Sequence, residues 1–173
     1  MPTWTAPTVE RSDPPRVADE RTAVETALDY QRQTLLLRCA GLTADQLTQR
    51  AVPPSSLSLL GLVRHMALVQ RWWFQINAAG RDLELPFTHA DNPDWEFDAL
   101  DVAAAEADLA TYRAEVDTAR AAVADLPLEH TFTSRRRAQM DLRWVYLHML
   151  EEYARHNGHA DLLRECIDGT TGD

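Results

Sequence analysis

Glu152 and His156 stand four apart in LRWVYLHMLEEYARHNGHADLLRECIDG at 142–169, a stretch whose register should otherwise be apolar. Leu142, Val145, Met149, Tyr153, Ala160, Leu163 and Ile167 recur there at the spacing of a helical stripe that faces a core. With Glu152 taken as the origin and about 100° per residue, Val145 and Leu163 fall at about 20°, His156 at about 40° and Met149 at about 60°. A carboxylate and an imidazole therefore point together into packed interior. A lone carboxylate there is costly unless it is paired or bound to a metal. Two readings follow: a cation held by both residues, or a buried hydrogen-bonded Glu–His pair.

His65 is a third donor. It lies three residues after Leu62 and four before Val69, on or beside the inward side of an earlier helix. By itself it also reads as a core or edge histidine. Two imidazoles and a carboxylate suit catalytic zinc with an open coordination position. The same set suits an Fe(II) facial triad, and imidazole accommodates nickel or copper. His148 and His159, at about −40° and about −20° on the same wheel, flank the stripe. They are rivals for ligation, or groups that orient Glu152 or move protons.

These residues require long helices to position them. The first is expected over Val17 to Cys39, with Val24, Leu28, Leu35 and Leu36 or Leu37 inward and Gly41 as its break. Thr43 and Gln46 have the spacing of a capping box and open a short helix that Pro53 and Pro54 end. The second long helix is expected from Ser56 to Ala79, with Leu59, Leu62, Met66, Val69 and Trp73 inward. Residues 80–100 show no sustained period, as in a functional loop or a crossover. His89, Asp91, Asp94 and Glu96 there read as a solvated loop. The third long helix is expected over Asp101 to Leu126, with Val102, Leu109, Tyr112, Val116 and Val123 inward and Pro127 closing it. The stretch LEHTFTSRRRAQMD suggests a short extended piece. Its Arg135, Arg136 and Arg137 read as solvated surface, or as an attraction for an anionic ligand. The last helix runs to Gly169, where helices commonly stop.

Four long helices and almost no strand signal point to an all-α four-helix bundle, with a long crossover between helices two and three. Residues 1–16 hold Pro2, Pro7, Pro14 and Pro15 and form an extended lead-in. Trp4 should lie partly against the body. Residues 17–173 form one helical-bundle domain, which 173 residues suffice to build. The net charge of −10 opposes a nucleic-acid partner. No run approaches a membrane span, and the N-terminus lacks an apolar signal core. Cys39 and Cys166 form no CxxC, as expected of a cytoplasmic chain with reduced thiols.

The chain resembles the DinB/YfiT-like superfamily of metal-binding four-helix bundles, and more closely an actinobacterial-type branch of it. GLVRHMALVQRWWF at 61–74 and LRWVYLHMLEEYARHNGHADLLRE at 142–165 carry the resemblance. PTW at 2–4, CAGLTADQL at 39–47 and VPPSSLSLLGL at 52–62 extend it. The resemblance implies a divalent metal, zinc first and nickel or iron as alternatives. It would be held by a His of the second helix and two residues four apart in the last, here His65, Glu152 and His156. In related mycothiol-dependent maleylpyruvate isomerases the first of that last-helix pair is Glu. Those isomerases carry a further C-terminal domain that this chain lacks, so isomerase activity is not expected.

The resemblance also implies a reaction: S-transfer from a low-molecular-weight thiol, such as mycothiol or bacillithiol, to a small electrophile. An open metal position can keep a thiol deprotonated at neutral pH. Two other functions remain open. One is a metal-bound stress-response or binding protein without turnover, which a fourth protein ligand such as His159 or His148 would favour. The other is a hydrolase using metal-bound water. The expected partners are small molecules and, as relatives imply, a second copy in a homodimer.

Overall fold

The chain folds as a succession of capped helices. The computed structural model describes residues 4–172. Met1, Pro2 and Thr3 of the expected lead-in, and Asp173 of the tail, lie outside the described residues. Helix α1 spans Glu20–Cys39. It starts later than expected because Asp19, not a residue near Val17, accepts the free Thr22 N–H at 3.0 Å. Helix α2 spans Ala44–Thr48 and opens on the expected reciprocal box of Thr43 and Gln46.

Helix α3 spans Leu59–Gln70. Its cap is Ser58 rather than Ser56, and the Ser58 hydroxyl accepts from Gly61 N at 3.1 Å. The expected α-helix to Ala79 is corrected over Arg71–Ala78, which is π-helical. There Ala79 N–H reaches back five residues to Phe74 O, and the Asn77 amide donates to Trp72 O at 2.6 Å. Helix α4, Trp95–Asp98, interrupts the stretch read as a loop. A 3₁₀ turn, Val102–Ala104, leads into α5, Ala105–Val123. The third long helix is thus shorter at both ends than its pattern suggested, and Val102 is exposed rather than inward. Strands β1, Thr131–Thr133, and β2, Gln139–Asp141, form an antiparallel hairpin with Phe132 opposite Met140. Helix α6, Leu142–Asp168, is capped by Asp141, which accepts from Trp144 N at 2.7 Å. It ends at Gly169, whose φ of 80° favours glycine.

The protein is mainly α-helical with one small two-stranded sheet. No described helix is long and apolar enough to cross a membrane. Two helix pairs run parallel. Glu20, Glu25, Gln31 and Arg38 of α1 meet Arg143, Tyr146, Asn157 and Asp161 of α6 in the same order. Arg64 meets Asp108, and Arg71 beyond α3 meets Glu115, so α3 and α5 also run alike. The connection between Ala79 and Ala104 must therefore carry the chain back along the molecule.

At mid-height one residue from each long helix joins a buried network. Arg32 donates to Gln70 Oε1 at 2.8 Å, Gln70 Nε2 donates to the Tyr153 hydroxyl at 2.7 Å, and the Tyr112 and Tyr153 hydroxyls are 2.9 Å apart. Polar groups buried this completely need partners, and this network supplies them across all four long helices.

The lead-in lies on the body. Ala6 N donates to Leu42 O and Gly41 N to Ala6 O, at 2.9 and 2.8 Å, and Trp4 packs on the core. Cys39 is buried and Cys166 exposed, and both are free thiols. Burial pushes the Cys39 thiol up to about 12.

Candidate metal centre

His65 of α3 and Glu152 and His156 of α6 converge. Each offers a ligand atom, and those atoms all lie within 4.8 Å of one another. The i,i+4 relation stacks Glu152 under His156 on one face of α6. His65 faces them across the α3–α6 contact, with its ring 4.9 Å from that of His156.

Each donor has a supporting group. Nδ1 of His65 lies 3.1 Å from Oε1 of the buried Glu96. With Glu96 ionised, the Nδ1–H donates to it and Nε2 presents its lone pair to the cluster. Glu96 was hidden in the sequence within an acidic, aperiodic stretch read as solvated. Gly61 explains its position. A Cβ there would stand 2.8 Å from Phe97 Cδ1, so only a glycine lets α4 settle on α3. Phe97 then stacks on the His65 ring at 5.3 Å, one helical turn beyond Gly61.

His156 has Nε2 3.5 Å from Glu152 Oε2 and Nδ1 3.4 Å from His159 Nδ1. Burial, then the neighbouring His65, lowers its pKa from 6.5 to about 4 despite the Glu152 carboxylate. The imidazole is neutral at physiological pH, the form that binds metals. Glu152 has no arginine partner among the described residues. Its other oxygen lies 3.6 Å from His148 Nε2. A half-buried carboxylate between two imidazoles, with no arginine beside it, fits a divalent cation. A self-contained Glu–His ion pair fits less well, because His156 resists protonation. Two imidazoles and one carboxylate could hold zinc, nickel or iron.

The two histidines left as rivals separate. His148 is wedged between Trp144, stacked at 4.7 Å, and Trp73, edge-on at 4.9 Å, and lines a cavity with His65 and Glu152. His159 sits behind His156, on the nitrogen turned from Glu152. Neither belongs to the three-residue cluster. His89, also noted in the sequence, stacks on Trp95 at 4.6 Å on the exposed side of the crossover.

The cavity encloses about 640 Å³. Leu68, Val69, Trp72, Trp73, Leu85, Met140 and Trp144 make its walls apolar. The π-helical segment supplies both Trp72 and Trp73, and the β1–β2 hairpin adds Ser134, Arg136, Ala138 and Met140 to the lining. An apolar cavity with a few convergent polar groups is the usual form of a small-molecule site.

The sequence profile of the family described as mycothiol-S-transferase matches residues 23–169, which includes α3, the crossover, the hairpin and all of α6. No curated protein matches the chain.

Proposed function

Because the chain belongs to the mycothiol-S-transferase family, a DinB-like family, we propose that it is a metal-dependent S-transferase that joins a mycothiol-type thiol to a small electrophile. The observation that carries this reading is the cluster of His65, Glu152 and His156 opening onto an apolar cavity. His65, Glu152 and His156 are the residues we assign to hold one divalent ion, zinc first. Bound there, such an ion supplies a Lewis-acid position that favours the thiolate over the thiol at neutral pH.

The chain's own residues account for the rest. Glu96 fixes the ring of His65, and His159 that of His156. His148, on the cavity wall beside Glu152, takes the thiol proton. The sulfur then forms one bond to the electrophilic carbon. The displaced electron pair leaves with a departing group, or goes to the neighbouring carbon, which His148 reprotonates. The tryptophan walls exclude water and hold the electrophile's apolar body. The fold that frames this chemistry reads as a DinB-type four-helix bundle over residues 17–173, built of α1, α3 with its π turn, α5 and α6. We place the protein in the cytoplasm, where mycothiol-type thiols stay reduced, and expect a homodimer. Family membership favours transfer over a non-catalytic metal protein or a hydrolase.

Elemental mass spectrometry on tag-free protein tests the metal, beside Glu152→Ala. About one equivalent in the wild type and a clear loss in the variant are expected. Calorimetry with mycothiol then tests the reaction: binding should require the metal. Absence of metal after reconstitution with zinc, nickel and iron would refute the assignment, and metal-independent thiol binding would refute the mechanism.

A further inference from the structure

All 17 cationic residues of this chain are arginines, and most of those in the body are committed to carboxylates or helix ends. Arg136 is an exception. It is exposed, it lines the cavity, and no carboxylate pairs with it among the described residues. Its neighbour Arg135 turns the other way and pairs with Asp82 at 2.8 Å. The Arg136 guanidinium lies over the Trp72 ring, 6.0 Å from its centroid.

The turn that carries Arg136 is built. Ser134 is buried, its N–H donates to Ala138 O at 2.8 Å, and its hydroxyl accepts from Ala138 N at 3.2 Å. Arg137 N donates to Ser134 O at 2.8 Å, and Arg137 takes the left-handed φ of 64° that closes the turn. Asn77 of the π-helical segment accepts from Arg135 N at 2.9 Å while donating to Trp72 O. One amide thus ties the turn to the tryptophan it overhangs. His130, at the base of the hairpin, adds a contact to Ala78 O at 3.2 Å.

The cavity lining is therefore polarised. Glu152 is its one carboxylate, beside the histidines, and Arg136 its one cation. Between them stand apolar walls, chiefly Trp72, Trp73 and Trp144. A guanidinium recognises carboxylates and similar anions through paired N–H donors, and stacks on aromatic faces while doing so. In the metal-free chain an anion is repelled from the Glu152 end, and with or without a metal Arg136 attracts one to this end.

We propose that Arg136 is the specificity-determining residue of the cavity, and that its ligand is an organic anion with a flat apolar body, the body lying along Trp72 and the carboxylate on Arg136. Taking that ligand as the electrophile rests on the transferase reading, and makes the substrate an aryl or alkenyl carboxylate. The anion subsite itself does not depend on that reading.

Calorimetry with 2-naphthoate and its neutral isostere 2-naphthamide tests the subsite on the full chain, as purified and again after chelation. Chelation removes any carboxylate–metal contact. The naphthoate should bind roughly five-fold tighter in both preparations, the value of a partly solvent-screened ion pair of about 1 kcal/mol. The preference should shrink with added salt, vanish in Arg136→Gln, and persist in Arg136→Lys and Arg135→Gln. Arg136 is exposed, and circular dichroism verifies that its variants fold. Equal affinities, failure of both probes to bind, or a preference that survives Arg136→Gln would overturn the proposal. So would a preference that disappears on chelation, since the anion would then have been held by a metal. Loss of mycothiol binding or of metal would sink the transferase reading instead, and neither enters the chelated measurement.

Discussion

His65 Nδ1 and Glu96 Oε1 lie 3.1 Å apart, joining the second long helix to a four-residue helix in the crossover. The contact occupies the ring nitrogen that faces α4 and leaves the other for the Glu152–His156 side. A histidine whose far nitrogen is held by a carboxylate is fixed in both tautomer and ring orientation.

Removing that hold should weaken the centre without unfolding the protein. Glu96→Ala is expected to lower zinc affinity roughly 10–100-fold, with little change in helical circular dichroism. Gly61→Ala should act through the same contact, because its new methyl group meets Phe97 and displaces α4. Its overpacking cost of about 1–3 kcal/mol should outweigh the helix-propensity gain of up to about 1 kcal/mol. Zinc titration of both variants checks this. Unchanged affinity in Glu96→Ala would show that His65 is held by packing alone.

Metal-free protein should lose stability in acid through His156. Its pKa is about 4 in the folded chain and 6.5 when unexposed to that burial, so the unfolded state binds the extra proton between these values. Stability therefore falls as pH drops from about 6.5 to about 4 and levels off below, by on the order of 2–4 kcal/mol. His156→Gln lacks the titration and should show a correspondingly shallower acid slope. Denaturant unfolding of both proteins at pH 7 and pH 4, with chelator present, measures the difference. Parallel slopes would mean that His156 protonates freely in the fold.

Tyr153→Phe removes the hydroxyl on which the α3, α5 and α6 side chains meet. Gln70 and Tyr112 would be left with buried polar atoms short of partners. A loss of about 1–3 kcal/mol is expected by urea unfolding. Metal affinity should fall less than in Glu96→Ala, since no donor or supporting group is removed. A larger fall would show that the network holds the rotation of α6 more tightly than packing does.

Helical periodicity was enough to bring Glu152, His156 and His65 onto facing stripes, because an intrusion of ionisable residues into an apolar register is visible in one dimension. Caps behaved similarly. Thr43 with Gln46, and Gly169, act through neighbours three or four residues away, so their roles could be read locally. The start of α3 at Ser58 could not, since Ser55, Ser56 and Ser58 are all competent caps, and nor could that of α5 at Ala105, whose cap position, Ala104, carries no capping side chain.

What the sequence by itself determined is the mainly helical frame and the facing positions of His65, Glu152 and His156 on it. Only the tertiary structure decided that Glu96 supports His65, that His148 faces the cavity while His159 stands behind His156, and that Arg136 rather than Arg135 overlooks it. The physical reason is that these residues sit on irregular segments or on the flanks of a stripe. No period governs such positions, and contacts distant along the chain, such as Gly61 with Phe97 and Asn77 with Arg135, set where each side chain points.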